Sequence, residues 1–182
     1  MRRSILAIAS ALVLSPAGAL LAQRPVSVGL AGGVSVPQGA LRDGASTGWH
    51  GLATISLSTL MQPLGLRLDV AYNRFDFSGA TRTAAGSAGY QTVGSATLNA
   101  TYRLPMTDSP LSPYLITGLG AYRTGCSLGS GCDAVTRYGW NAGLGTKMSV
   151  LPFRTFLEAR YHRTTRYGRG VTYFPITVGL LL

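Results

Sequence analysis

Five stretches of this chain alternate apolar and polar residues with a period of two, and three more do so less regularly. Leu64, Leu66, Leu68, Val70 and Tyr72 stand against Gly65, Arg67, Asp69 and Ala71. Ala96, Leu98, Ala100, Tyr102 and Leu104 stand against Thr97, Asn99, Thr101 and Arg103. Further along, Tyr138, Trp140, Ala142, Leu144 and Met148 oppose Asn141, Gly143, Gly145 and Lys147. Leu157, Ala159 and Tyr161 oppose Glu158, Arg160 and His162, and Phe174, Ile176, Val178, Leu180 and Leu182 oppose Tyr173, Thr177 and Gly179. Side chains alternate across a strand, so each stretch reads as a β-strand with one apolar and one polar face. The weaker stretches lie at 26–36 (Val26, Val28, Leu30, Val34, Val36), 49–59 (Trp49, Ala53, Ile55, Leu57) and 114–122 (Tyr114, Ile116, Tyr122). The total is eight strands of about 9–13 residues, enough to cross a bilayer when tilted.

The connections alternate in kind. Those after strands two, four and six fall at Met61-Gln62-Pro63, Pro105 to Pro113, and Leu151-Pro152-Phe153; each contains proline and two are very short. Those after strands one, three, five and seven, near 37–47, 78–89, 124–136 and 165–170, are rich in Gly, Ser, Thr and Arg. All long loops then lie at one end of an up-and-down sheet, with both termini at the other. In the hydrocarbon of a bilayer no sheet edge can stay unpaired, so strand one must pair with strand eight.

Composition decides which face is wet. The 182 residues are 46% hydrophobic but only 12% charged, with one Lys and one Glu, against roughly 25% charged residues in soluble domains. A soluble, lipocalin-like ligand-binding barrel would need charge on its outer face, and this chain has too little. Mean hydropathy is only +0.23, and no apolar run of helical-span length follows residue 22. That excludes a helical membrane protein, which needs about 20 apolar residues per span. Aromatic residues gather near strand ends: Trp49, Phe75, Phe77, Tyr90, Tyr122, Tyr138 and Tyr173 toward the long loops, Tyr102, Tyr114 and Phe153 toward the turns. Two such girdles are what a membrane interface selects. The net charge of +10 comes from arginines scattered singly. It predicts no nucleic-acid partner and points to anionic lipid headgroups, including lipopolysaccharide.

Residues 1–22 carry the plan of an export signal: Arg2 and Arg3, an apolar core from Ile5 to Leu14, then Ser15, Pro16 and Gly18. Leu20-Leu21-Ala22 offers a cleavage site before Gln23, with Ala17-Gly18-Ala19 as a second choice and an uncleaved anchor as the alternative. A single domain over residues 23–182 is expected.

Four segments carry a resemblance: Pro113-Tyr114-Leu115-Ile116-Thr117-Gly118-Leu119-Gly120-Ala121-Tyr122, Tyr138-Gly139-Trp140-Asn141-Ala142-Gly143-Leu144-Gly145, Leu157-Glu158-Ala159-Arg160-Tyr161-His162, and Phe174-Pro175-Ile176-Thr177-Val178-Gly179-Leu180. Over residues 23–182 the chain resembles the small eight-stranded outer-membrane β-barrels of the OmpA/OmpX type. The resemblance implies an all-β, eight-stranded antiparallel up-and-down transmembrane barrel in the bacterial outer membrane. The resemblance is nearly silent on activity; the expected role is structural or surface-interacting, with the barrel as anchor and the long loops as contact surface, and not catalytic. Such barrels usually end in Phe, which the barrel-insertion machinery reads; this chain ends in Leu182.

Arg67, Asp69, Lys147, Glu158 and Arg160 all fall on the inward face at similar depth. They are expected to pair as a charge network that plugs the lumen, because an unpaired buried charge is costly. The competing reading is a narrow gate for small ions; an aqueous porin needs about 16–18 strands. His162 with Thr164 faintly suggests a lipid A-modifying enzyme, but Thr stands where a Ser nucleophile would be expected. His50 reads as a rim residue. No Cys/His/Asp cluster has metal-ligand spacing, and no cofactor is implied. Cys126 and Cys132 fall in the third long loop, and an exported chain is expected to bridge them. Free thiols or a metal site are the alternatives.

Overall fold

The computed structural model describes residues 26–58, 63–79, 89–106, 109–127, 134–150, 153–164 and 170–182. Eight strands follow in order: β1 (Val26–Gln38), β2 (Gly48–Ser58), β3 (Leu64–Asp76), β4 (Tyr90–Arg103), β5 (Leu111–Cys126), β6 (Val135–Val150), β7 (Phe153–Thr164) and β8 (Thr172–Leu181), with a short helix α1 (Ala40–Gly44) after β1. Neighbours in sequence pair antiparallel and β1 pairs with β8, closing a barrel with no free edge. Most strands run further toward the long-loop end than the alternation indicated. β3 reaches Asp76 and β5 reaches Cys126, so Cys126 is a strand residue rather than a loop residue.

The registers fix the geometry. Starting at Val28, successive partners are Ile55, Leu68, Leu98, Leu119, Trp140, Arg163 and Thr172, and Thr172 pairs back with Gln38, ten residues beyond the start. Each step to the next strand therefore climbs about one and a quarter residues, and the strands tilt steeply, as closure of a small barrel demands.

One face of every strand points out and is apolar. Leu30, Leu66, Leu98, Leu119, Leu144 and Val178 are among its exposed residues, Leu119 at 71%. The inward face carries Ser35, Thr54, Arg67, Asp69, Asn99, Asn141 and Glu158, all buried. In β5 the facing differs from the sequence reading: Tyr114, Ile116 and Tyr122 point inward and buried, and Leu115 and Leu119 point out.

The aromatic girdles are also only partly outward. Trp49, Tyr72, Tyr138 and Trp140 are exposed near the long-loop end, and Tyr102 and Phe153 near the turn end. Once the climb per strand is allowed for, the two groups lie about 20–25 Å apart along the barrel axis, the height of an apolar membrane band. Phe75, Phe77, Tyr114, Tyr122 and Tyr173, expected in the girdles, are buried instead. For Phe75, Tyr122 and Tyr173 the reason is an apolar layer inside the barrel, where they pack with Val93, with Leu41 and Ala45 of the first loop and with Val171. The helix α1 brings Leu41 onto this layer. Toward the turn end Leu52, Phe156 and Leu181 form a smaller cluster with Ala31 and Ala71.

Candidate functional site

Between these two apolar layers the interior is polar. β3 and β7 stand four strands apart in a barrel of eight, so they face each other across the lumen. Arg67 and Asp69 project from β3, Glu158 and Arg160 from β7. Arg67 donates from Nε to Asp69 Oδ1 at 2.7 Å and from Nη1 to Glu158 Oε2 at 2.8 Å. Arg160 donates from Nη2 to Asp69 Oδ2 at 2.6 Å and from Nε to Glu158 Oε1. The four ion pairs form a closed ring of two cations and two anions that spans the barrel. Each side chain is 5% exposed or less.

Neighbouring strands supply further hydrogen bonds to the ring, although Arg67 Nη2 is buried without a partner. Tyr114 OH donates to Glu158 Oε2 at 2.6 Å. Arg67 Nε also donates to Thr54 Oγ1 at 2.8 Å. Asn99 Nδ2 donates to Asp69 Oδ2 at 3.0 Å, and Asn141 Nδ2 donates to Asn99 Oδ1 at 2.8 Å. Buried ions with most of their hydrogen bonds made avoid the penalty that an isolated buried charge would carry. The Arg67 guanidinium lies 5.0 Å from the centre of the Phe156 ring, which bounds the site toward the turns.

Glycines on the inward faces of β5 and β6 make room for this network. A Cβ at Gly145, directly opposite Glu158, would lie 2.5 Å from Tyr114 Cζ. A Cβ at Gly118 would lie 2.1 Å from Asn99 Oδ1. Gly145→Val should therefore push the Tyr114 phenol off Glu158 and lower unfolding stability by about 1–3 kcal/mol, the usual range for overpacking. A urea midpoint unchanged from wild type would contradict this.

Above the ring, toward the loops, lies a second polar network. Ser35 Oγ is 3.0 Å from His50 Nδ1 and donates to Asn73 Oδ1 at 2.8 Å. His50 Nε2 is 2.9 Å from Thr177 Oγ1. His162 stacks on Tyr173, ring centres 4.9 Å apart, and its Nδ1 is 3.1 Å from Tyr122 OH. A cavity of about 20 Å³ separates this layer from the ring, bordered by His50, Ser95, Asp69, Arg160, His162 and Thr177. A polar space of that size accommodates a water molecule.

The charged ring lies inside the wall and the apolar residues lie outside it, the reverse of a soluble barrel. The chain has the fold of the small eight-stranded outer-membrane β-barrels. It is similar to Neisserial surface protein A (NspA), with a TM-score of 0.65 at 20% sequence identity over 87% of this chain and 96% of that one. It is also similar to the N-terminal β-barrel domain of Pseudomonas aeruginosa OprF, with a TM-score of 0.50 at 16% identity over 88% and 99% of the two chains. No protein-family model and no curated protein sequence matches it.

Within this outer-membrane barrel fold, four of the five expected lumen charges come together and Lys147 does not. The register sets Phe156, not Glu158, opposite Lys147, so the ammonium lies toward the turns. It sits 5.6 Å from the centre of the Tyr114 ring and makes no ion pair among the described residues. His162 and Thr164 share the inward face of β7 but have separate partners: Thr164 Oγ1 accepts from Val171 N at 2.9 Å. His50, read as a rim residue, is buried in the upper network. Sequence reasoning missed Thr54, Asn99, Asn141 and Tyr114 as partners of the ring. All but Tyr114 were visible as polar residues on inward faces.

Cys126 closes β5 and is not a free thiol. Cys132 and the expected signal segment, residues 1–22, lie outside the described residues.

Proposed function

We propose that the protein is an integral barrel of the bacterial outer membrane with a structural or surface-interaction role, no catalytic activity and a lumen held shut by its ion-pair ring. The observation that carries this reading is the inversion of polarity. Apolar side chains cover the outer wall between two levels of exposed aromatics, and paired charges fill the interior. In water such a wall would expose a continuous apolar belt far larger than soluble monomers carry. In a bilayer it faces acyl chains, and the closed hydrogen-bonded wall leaves no backbone group unpaired at a sheet edge.

On this reading residues 1–22 direct export and are removed. The long loops face outward as the contact surface. Membrane fractionation combined with gel mobility tests the placement. The protein is expected in the outer-membrane fraction and should migrate differently before and after boiling. Recovery in the soluble fraction with heat-independent mobility would overturn the reading.

The same reading makes Cys126 and Cys132 a bridge formed in an oxidising compartment. Alkylation without reductant followed by mass analysis should leave both cysteines unmodified; two alkylated cysteines would reject the bridge. Closing so short a loop contributes about 2 kcal/mol at most in the chain-entropy picture. Its reduction should therefore loosen the third loop and leave the barrel folded.

A further inference from the structure

We propose that Arg123 and Arg163 form a binding surface for the phosphate groups of lipopolysaccharide in the outer leaflet; this rests on the membrane placement proposed above. Both arginines are exposed and share the outward face of their strands with the apolar wall, Arg123 with Leu119 on β5 and Arg163 with Leu157 on β7. Arg163 pairs directly with Trp140 of β6, and Arg123 pairs with Thr136 of the same strand, four residues nearer the loops. The climb of the strands cancels most of that offset. Two steps from β5 to β7 raise the register by about 2.5 residues, so the two Cα atoms differ in height by only about 4 Å.

They stand at the upper edge of the exposed aromatic belt. Tyr138 and Trp140 lie on the strand between them, Tyr138 at 77% exposure, and Trp140 contacts Tyr161 with ring centres 5.6 Å apart. Aromatic rings at this level mark the boundary between acyl chains and headgroups. Cations just above it meet the phosphates, and a long arginine stem can reach along apolar surface to do so.

The charge environment favours this sector over the rest of the rim. Arg74, at nearly the same height on β3, is already engaged, 3.5 Å from Asp76 and 3.8 Å from the centre of the Tyr90 ring. Arg123 and Arg163 have no ion-pair partner among the described residues. Two guanidiniums with open forks at one level suit bidentate contact to phosphate. The long-loop end is the outer leaflet when short turns face the periplasm, and there the phosphate-bearing lipid is lipopolysaccharide.

The test uses the full mature barrel in phosphatidylcholine nanodiscs, with added bisphosphorylated lipopolysaccharide or the same preparation after enzymatic dephosphorylation, in chelator. Wild type should bind the phosphorylated form on the order of tenfold more tightly, less so as salt is raised. Arg123→Gln/Arg163→Gln should lose that preference and each single variant should lose part of it. Arg154→Gln, at the turn end, should keep it. Heat-dependent mobility confirms that each variant is folded. Preference retained in the folded double variant overturns the inference. A wild-type barrel that inserts but shows no preference overturns this inference alone; one that does not insert overturns the membrane placement as well.

Discussion

Glu158→Ala is expected to be the most damaging single substitution in the barrel interior. It removes the acceptor of two buried guanidiniums, Arg67 and Arg160, and of the Tyr114 hydroxyl. Asp69 remains within 2.7 Å of both arginines, so the site would hold two cations and one anion. Breaking one partner out of a buried ion set costs about 3–5 kcal/mol. The lower end of that range is expected here, because water entering a barrel can solvate the orphaned charge. Glu158→Gln keeps the volume and should cost nearly as much, which separates loss of charge from loss of packing. Unfolding in urea from lipid vesicles measures both. A double-mutant cycle with Arg67→Met should give a large coupling energy, and near-additivity would show the ring to be energetically idle. The same substitution should raise small-ion conductance across planar bilayers above that of wild type, since the ring bridges opposite walls.

The second large effect concerns the outer wall. Leu68 lies on the outward face of β3, close to mid-height between the two aromatic levels, and is 47% exposed. Leu68→Arg would place a cation at the bilayer midplane and should lower stability in lipid by about 2–4 kcal/mol. Leu64→Arg, on the same face but at the turn end of the strand, should cost no more than about 1 kcal/mol, because the midplane penalty fades toward the interface. Equal effects at the two positions would mean that the outer wall does not face a bilayer.

Much of this architecture is legible in the residues. Leu64 to Tyr72 against Gly65 to Ala71 specifies a strand and its two faces, and a one-residue slip would bury every leucine and expose Arg67 and Asp69. Closure follows because neither terminal strand could leave its edge unpaired. β5 was harder to read. Its inward positions hold Tyr114, Ile116 and Tyr122 with Gly118 and Gly120 between them, so hydropathy marks the inward face as the apolar one. The aromatics misled for a related reason. Phe75 shares the parity of Arg67 and Asp69, so its inward facing was available from the sequence. The apolar layer that receives it depends on Leu41 of α1, a five-residue helix with no periodic signal.

The charged ring was legible as a set of inward residues but not as a partnership. Counting from the turn near residue 151 puts Lys147 and Glu158 at almost equal distances, yet the register pairs Glu158 with Gly145 and Lys147 with Phe156. An offset of two residues decides which cation Glu158 meets. The contact across the barrel from β3 to β7 depends on strand number and stagger, which no local pattern carries. Asn99, Asn141 and Thr54 are legible as polar inward residues, but their place in the network around the ring follows only from how the strands are staggered in the closed barrel.

Fluorescence of the native tryptophans in bilayers with brominated acyl chains tests the central claim most directly. Trp49 and Trp140 are the two tryptophans of the chain, and both are exposed on the outer wall at the long-loop level. A barrel spanning a bilayer at that level should show strong quenching by bromines placed near the headgroups and weaker quenching by bromines near the chain ends. Aqueous iodide should quench little. Strong quenching by iodide with none from either brominated lipid would put the apolar wall in water and contradict the account.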